Sequence, residues 1–182
     1  MTDLKPLCAL GAPEPRSVQL GKLSLRECPE MGLASLALRG DADRPTLDLP
    51  EPGRWQASDP FNVFWTGPDQ WMVEAPGQGD ADVAAQVQAR APGASVTEQT
   101  DGWVLIAVTS SAGAAPLTAL LERAVNLDPA RLAPGCAVRT AIEHMGVLVI
   151  RRAEGELGIW GMRSAAESLW HALTTMARRL EA

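Results

Sequence analysis

The amino-acid sequence predicts an α+β fold in which antiparallel sheets pack against three main helices. Segments with the two-residue apolar–polar alternation of strands follow one another in groups, so hairpins are expected. Only three segments show helical spacing, and each comes after a group of strands. A doubly wound parallel fold would alternate single strands with helices, whereas grouped strands with occasional helices favour antiparallel sheets.

The N-terminal segment, residues 1–17, is predicted to be an extended arm. It contains prolines that interrupt regular structure, Pro6, Pro13 and Pro15. The remainder, residues 18–182, has a length typical of one domain. Since 46% of the whole chain is hydrophobic, it can bury a core. We therefore expect an arm followed by a single domain.

Strands and helices are assigned in chain order from the same patterns. Predicted strands lie at 18–27, with a bulge at Gly21, and at 31–39 (the returning strand), 62–66, 70–75, 96–99, 103–108, 139–144, 147–152 and 157–161. Predicted helices lie at 80–91, 113–123 and 164–180. Asp80 is expected to cap the first helix, and Ser164 with Glu167 to form a capping box at the last. Residues 40–60 contain four prolines and are predicted to be a long irregular loop, a feature that often mediates binding.

The last helix carries the clearest signal. Its apolar residues lie on one stripe at helical spacing: Ala166, Leu169, Trp170, Leu173, Met176, Ala177 and Leu180. The opposite face carries Glu167, His171, Thr174, Arg178 and Arg179. We expect the stripe to pack in the core and the polar face to be solvated.

Composition excludes several classes of protein. The formal net charge is −6 and no run of Lys or Arg exists, which disfavours a nucleic-acid partner. The first residues lack the pattern of an export signal, and no apolar stretch approaches the roughly 20 residues that span a bilayer. A cytoplasmic location is therefore expected. The cysteines Cys8, Cys28 and Cys136 are far apart, so ordinary thiols are expected and not a disulfide framework or a zinc site.

No motif for a catalytic, cofactor-binding or metal-binding site is found. The glycine pair Gly77 and Gly79 lacks the third glycine of a dinucleotide loop, and Asp80 follows where a phosphate would bind. His144, on a predicted strand, and His171 have no partner at ligand spacing. A Cys–His nucleophile pair stays open, because such residues meet in space and not in sequence. We therefore expect no catalytic, cofactor-binding or metal-binding residues in this chain.

The aromatic residues are unusual, with six Trp, two Phe and no Tyr. Phe61, Phe64, Trp65 and Trp71 cluster at one predicted hairpin. Either both faces of this hairpin are buried, or one face meets a partner, since Trp is enriched at interface hot spots. Trp55 stands among polar neighbours in the long loop. The predicted partner-contact residues are Trp55, Trp65 and Trp71; the alternative for Trp55 is that it folds back over its own sheet.

Three segments match the motifs of one family in the same order. FWTGPDQWMV at 64–73 is similar to W-x-G-P-D-E-W-L-V. VNLDP at 125–129 and PGCAVRT at 134–140 are similar to P-x-D-L followed by F-x-P-G-x-x-x-x-T, and RSAAESLWHAL at 163–173 to R-S-F-A-x-S-L-x-x-x-L. Over roughly residues 15–180, the chain therefore resembles the gamma subunit of heterotetrameric sarcosine oxidase.

The resemblance implies a fold like the folate-binding domain of glycine-cleavage aminomethyltransferases, with ferredoxin-like halves. It also implies partner subunits: an alpha subunit with NAD and a folate-binding domain, a beta subunit with FAD, covalent FMN between them, and a delta subunit with zinc. Such a complex oxidises sarcosine to glycine with O2, releases hydrogen peroxide and passes the one-carbon unit to tetrahydrofolate. The gamma subunit is implied to be structural and to bring no cofactor.

Departures from the family patterns bear on the alternatives. Ala165 replaces a Phe, and Leu132 or Ala133 replaces an aromatic residue, which are packing changes. Val149 and Ile150 align with the paired acids of the aminomethyltransferases, and an aliphatic side chain can accept no proton. The residues favour a non-catalytic relative over a free-standing, folate-binding aminomethyltransferase-like protein. Two alternatives stay open. One is that the chain is a small-molecule-binding module that stacks ligands on tryptophan. The other is that the substrate of the complex is another N-methyl amine.

Overall fold

The computed structural model describes residues 6–40, 45–128 and 132–181. The strands within these ranges are β1 (Ser17–Leu20), β2 (Leu23–Glu27), β3 (Gly32–Ala37), β4 (Trp55–Gln56), β5 (Asn62–Gly67), β6 (Gln70–Ala75), β7 (Ser95–Glu98), β8 (Trp103–Ser110), β9 (Cys136–Ile142), β10 (Met145–Ala153) and β11 (Glu156–Met162). The α-helices are α1 (Val83–Arg90), α2 (Ala114–Ala124) and α3 (Ala166–Arg178). None of the helices described is long and apolar enough to cross a membrane.

The strands form two antiparallel sheets. A six-stranded sheet has the order β1-β2-β8-β11-β10-β9, and a five-stranded sheet has the order β4-β5-β6-β3-β7. Neighbouring strands in both sheets run antiparallel. The predicted α+β class, with antiparallel sheets and three helices, is confirmed.

The two sheets face each other, and helices cover their outer faces. Helices α2 and α3 pack on the six-stranded sheet, with Leu120 and Leu173 fully buried there. Helix α1 packs on the five-stranded sheet through Val83 and Val87. Between the sheets lies an apolar layer, here called the inter-sheet cluster, made of Cys28, Leu33, Phe64, Met72, Leu105, Ala137, Leu148, Ile150 and Trp160.

Strand alternation explains how one hairpin serves two layers. Successive side chains of a strand point to opposite faces. On β5, Val63 accordingly packs toward α1 while Phe64 packs in the inter-sheet cluster. The predicted turn between β5 and β6 is also present, at Pro68 and Asp69.

The first predicted strand is instead a hairpin. Residues 18–27 were expected to form one strand bulged at Gly21, but Leu20 pairs with Leu23 across a turn. Gly21 has φ 54°, a conformation that glycine adopts without the steric cost of a Cβ. The expected return of the chain along residues 31–39 is also wrong, because β2 belongs to the six-stranded sheet and β3 to the five-stranded one.

Helix α3 confirms the predicted apolar stripe but corrects both its cap and one polar position. Leu169 and Leu173 are buried. Thr174, expected on the solvated face, is 3% exposed and donates its hydroxyl proton to the Trp170 carbonyl at 2.9 Å. The capping box is wrong, because residues 163–165 form a 3₁₀ turn and Ala165, which caps the helix, makes no side-chain bond.

Two further local predictions are corrected. Helix α1 begins later than expected, and Asp82, not Asp80, accepts a hydrogen bond from the Ala85 N–H at 2.8 Å. His144 lies in the turn between β9 and β10 with φ 69°, and not on a strand. Within the described part of the predicted irregular loop, residues 45–60, the short strand β4 pairs with β5.

Residues 6–16, which precede β1, are bound to the rest of the chain. Leu10 is 5% exposed and packs in the core beneath α2 and α3. The buried carboxylate of Glu27 accepts hydrogen bonds from the backbone N–H groups of Leu10 at 2.9 Å and of Arg16 at 3.2 Å. The division into an arm and a single domain stays a prediction.

Candidate functional site

The structure brings two of the three predicted contact residues together and separates the third. Trp65 on β5 and Trp71 on β6 lie directly opposite each other across the hairpin. Both are partly buried, on the sheet face that also carries α1. Trp55 pairs with Phe64 and packs against the inter-sheet cluster, on the other face of the same sheet.

A groove runs between Trp65 and Trp71 on one side and the proline-rich loop on the other. We call it the Trp65–Trp71 groove; its volume is about 690 Å³. Its apolar wall is formed by the two tryptophans, three leucines and four prolines, namely Leu38, Leu47, Leu49, Pro45, Pro50, Pro52 and Pro68. The Trp71 indole N–H donates to the Pro50 carbonyl at 3.0 Å, which ties the loop to the hairpin.

Charged side chains surround this groove asymmetrically. Among the described residues, the charged ones that line it are Asp48, Glu51 and Asp69, all acidic and all exposed. Within the described ranges, none of the three carboxylates forms an ion pair. An apolar channel with an acidic rim favours an occupant that is apolar and cationic.

Trp55 belongs to a second feature, which we call the Glu74 cluster. Glu74 is fully buried, and its Oε2 accepts hydrogen bonds from Trp55 Nε1 at 3.1 Å, Asn62 Nδ2 at 3.4 Å and Arg152 Nη1 at 2.9 Å. Its Oε1 accepts from Trp160 Nε1 at 2.7 Å and Arg152 Nη2 at 2.5 Å. The Arg152 guanidinium also lies 5.4 Å from the Trp55 ring centroid, within cation–π range.

The Glu74 cluster joins the two sheets. Glu74 is on β6 of the five-stranded sheet, whereas Arg152 and Trp160 are on β10 and β11 of the six-stranded sheet. Both oxygens of the carboxylate already accept at least two hydrogen bonds, so the group has little capacity left for a ligand. The sequence reasoning missed this cluster; the available signal was an acid two residues after Met72, at an inward position of an alternating strand.

A cleft between the sheets is the structural candidate for a small ligand. It measures about 360 Å³, with Trp103, Met72 and Leu148 on its walls and Arg139 among its lining residues. Such a volume is within the range of small-molecule sites. The Trp103 indole N–H already donates to Gln99 Oε1 at 3.2 Å, which fixes the orientation of its ring.

The positions aligned with the aminomethyltransferase acids are apolar in space as well as in sequence. Val149 packs in the core on the helix side, and Ile150 packs in the inter-sheet cluster. Both are fully buried. Neither can supply a proton acceptor to the cleft.

No hydrogen bond joins a cysteine thiol to a histidine in the described part of the chain. Burial raises the pKa of the Cys28 thiol, and the Glu30 carboxylate adds to this. Burial also raises the pKa of Cys8, with further contributions from Glu27 and Glu14. A high thiol pKa leaves little of the nucleophilic thiolate at neutral pH.

The remaining titratable groups give no metal centre in the ranges described. There, no group of three or more His, Cys, Asp or Glu is placed to hold a metal ion. His144 and His171 are exposed. The Cys136 sulfur accepts a hydrogen bond from Arg54 Nη1 at 3.2 Å.

The arrangement of two facing sheets with outer helices is found in solved enzymes. The chain is similar to a chain of heterotetrameric sarcosine oxidase from Corynebacterium sp. U-96, solved in complex with pyrrole 2-carboxylate, with a TM-score of 0.74 and 19% identity over 91% of this chain and 88% of that one. The chain has the fold of that oxidase chain. The resemblance in fold expected from the three motifs is confirmed.

A second solved structure shares the fold. Glycine cleavage system aminomethyltransferase T from Bartonella henselae matches with a TM-score of 0.58 and 15% identity over 84% of this chain and 45% of that chain. The present chain thus spans less than half of the aminomethyltransferase. At these identities the shared property is the fold. No family model matches the sequence, and no curated protein matches it.

Proposed function

We propose that this chain is the gamma subunit, a non-catalytic structural component, of a heterotetrameric flavin-dependent sarcosine oxidase. The observation that carries the proposal is the fold match over 91% of this chain and 88% of the oxidase chain, since the two chains share a fold over nearly their whole lengths. The three sequence motifs, at matching intervals, support the same assignment.

The proposed partners are the alpha, beta and delta subunits. FAD, FMN, NAD, tetrahydrofolate and zinc belong to those subunits, and this chain holds none of them. The complex oxidises sarcosine to glycine in the cytoplasm, with O2 as the electron acceptor. Hydrogen peroxide is released, and the one-carbon unit passes to tetrahydrofolate.

The structural role is supported by the contrast between the two tryptophan sites. The Glu74 cluster binds its tryptophans inside the chain, where they hold the sheets together. The Trp65–Trp71 groove instead leaves aromatic surface open beside an acidic rim. We propose this groove as the partner surface. Trp55 stays a predicted contact residue, although its indole N–H is already bound to Glu74.

The test is co-expression with the three partner subunits and affinity capture of the complex. Trp65→Ala is expected to weaken association by ~2 kcal/mol, as interface tryptophans do, at an unchanged melting temperature. Trp55→Ala is measured beside it and should lower the melting temperature through the Glu74 cluster. Lost association of Trp55→Ala at an unchanged melting temperature would instead make Trp55 a contact residue. Peroxide should form from sarcosine only when the partners are present.

Two results would count against this proposal. Failure of the wild-type chain to associate with any of the subunits would contradict the function itself. Full association of Trp65→Ala and Trp71→Ala would leave the function intact and remove the groove as the partner surface.

The alternative is a free-standing folate-binding protein related to aminomethyltransferases, and the cleft beside Trp103 favours it. Titration of the isolated chain with tetrahydrofolate distinguishes the two. Saturable quenching of tryptophan fluorescence that disappears in Trp103→Phe would support the alternative. The structural-subunit proposal expects no saturable quenching.

A further inference from the structure

The Trp65–Trp71 groove is bounded by a loop that its own composition makes stiff. Pro45, Pro50 and Pro52 restrict the backbone, because each proline ring fixes φ. The hydrogen bond from Trp71 to the Pro50 carbonyl holds this loop against the hairpin. The groove is therefore formed before an occupant arrives, which lowers the entropic cost of binding.

The groove can also supply a donor for the backbone of an occupant. Within the described part of the chain, the indole N–H of Trp65 makes no hydrogen bond, in contrast to those of Trp55, Trp71, Trp103 and Trp160. An extended peptide presents backbone carbonyls without partners along its length. Grooves lined by aromatic side chains bind extended, proline-containing segments, whose backbone is already ordered before binding.

The acidic rim selects the charge of the occupant. Asp48 and Glu51 lie on the loop side, and Asp69 lies in the hairpin turn, so carboxylates stand on both sides of the channel. Lys or Arg side chains on the occupant would complement them. Anionic surfaces, including nucleic acids and acidic lipids, are repelled by the same groups.

We propose that the Trp65–Trp71 groove binds an extended segment of a partner subunit that alternates Lys or Arg with proline or leucine. The proposal rests on the proposed function, because it names the chemistry of the partner segment. A groove-to-groove contact with a second copy of this chain does not fit. A symmetric self-contact through the groove would place Asp48, Glu51 and Asp69 against the same acids of the other copy.

A direct test uses a synthetic probe and does not depend on the partner subunits. The probe is an acetylated, amidated peptide of sequence Pro-Leu-Arg-Pro-Leu-Arg-Pro, and the matched probe has Glu in place of both Arg. Binding is followed by the indole N–H signals of the ¹⁵N-labelled chain, with the Trp65 signal assigned from Trp65→Phe. We expect the basic probe to shift the Trp65 signal saturably and the acidic probe to leave it unchanged.

Neutralising the rim tests the role of charge. The rim variant combines Asp48→Asn, Glu51→Gln and Asp69→Asn; asparagine is suited to position 69, where φ is 54°. Its Kd for the basic probe should rise about tenfold, because the two Arg side chains of the probe lose their exposed ion pairs with the rim. The control variant combines Asp101→Asn, Glu122→Gln and Glu143→Gln, which are exposed elsewhere and change the net charge equally. It should keep the wild-type Kd within about twofold.

The same two variants, co-expressed with the partner subunits, separate the two proposals. If the rim variant associates with the partner subunits more weakly and with less dependence on salt, and the control variant does not, the result would support binding of a partner segment in the groove. Probe binding without any complex would overturn the proposed function and keep the groove as a site for basic peptides. A complex that forms equally well with both variants, while neither probe shifts the Trp65 signal, would overturn the groove proposal.

Discussion

At the scale of single residues, Glu74 places a charge between apolar neighbours on its strand. Its neighbours Val73 and Ala75 are fully buried, and so is Glu74 itself. Desolvating a carboxylate costs several kcal/mol unless a cation and hydrogen-bond donors replace water. Arg152 supplies the cation through both terminal nitrogens, and two indole groups supply further donors.

Glu74→Gln is expected to lower the free energy of unfolding by about 3 kcal/mol or more, because it removes the buried carboxylate that neutralises Arg152, whose side chain is 10% exposed. Urea unfolding measures the effect. Glu156→Gln is the control, since Glu156 is 43% exposed and 4.0 Å from Arg152 Nε. The control should cost less than about 1 kcal/mol. Equal losses in the two variants would contradict the role assigned to Glu74.

For single residues, the sequence pattern predicts the face of a strand on which a side chain lies but not its distant contacts. Alternation along β5 alone is enough to place Trp65 on the same face as Val63, and the cross-strand pairs of both residues agree with it. Alternation could not predict the surroundings of Trp55. Its indole N–H binds Glu74, and Glu74 is in turn bound by residues from strands that are distant in the sequence. Arg152 and Trp160 are 78 and 86 positions from Glu74. Local spacing has no access to contacts of that separation.

At the scale of elements, apolar periodicity predicted the helices better than their ends. The stripe of α3 was predictable because burial of one face is a property of spacing alone. The cap was not, since a cap depends on the backbone conformation at one residue, and Ala165 takes up that position in a 3₁₀ turn. The side chain of Leu169 also fills the space beside Gly161, where a Cβ would lie 2.5 Å from Leu169 Cδ2.

Glu98 connects three elements through one carboxylate. It accepts hydrogen bonds from the Ala84 N–H at 2.9 Å, in the first turn of α1, and from the Thr100 hydroxyl at 2.5 Å, in the 3₁₀ turn after β7. Burial alone would raise the pKa of Glu98. The hydrogen bonds from Thr100, Ala84 and Gln99 outweigh burial, and the pKa is lowered.

This direction predicts how stability depends on pH. Because the folded-state pKa lies below the unfolded value of 4.5, the Glu98 contribution is complete above that pH and is lost as the pH falls through the folded pKa. The stability difference between wild type and Glu98→Gln should thus be largest near neutral pH and shrink in acid. Urea unfolding across this range measures it. Thr100→Val removes one donor and should reduce the pH dependence; a constant difference at every pH would contradict the assignment.

At the scale of the whole molecule, the class was predictable and the strand pairing was not. Grouped strands indicated antiparallel sheets because hairpins need only short turns. The partition into two sheets depends on distant pairings, such as Leu25 with Val108 and Leu33 with Glu74. Strands β2 and β3 are close in sequence, yet the chain crosses between sheets at Cys28, a member of the inter-sheet cluster.

Because Leu10 packs in the core beneath α2 and α3, we predict that residues 6–16 unfold together with the sheets. Leu10 is 5% exposed among residues of the helix-side core, whereas Leu7 is 52% exposed. Leu10→Ala should therefore lower the free energy of unfolding by about 2–4 kcal/mol, as for other buried leucines. Leu7→Ala should change it by less than about 0.5 kcal/mol.

Two probes in urea check both the size and the cooperativity of this effect. Far-UV circular dichroism reports the strands and helices, and tryptophan fluorescence reports Trp160 between the sheets and Trp170 on α3. If the chain unfolds as one unit, the two transitions coincide in wild type and shift together in Leu10→Ala. That result would extend the domain into the predicted arm, because Glu27 binds the backbone of Leu10 and Arg16 in the same core. An unchanged midpoint in Leu10→Ala would leave the arm outside the cooperative unit, and separate midpoints for the two probes would divide the sheets into independent units.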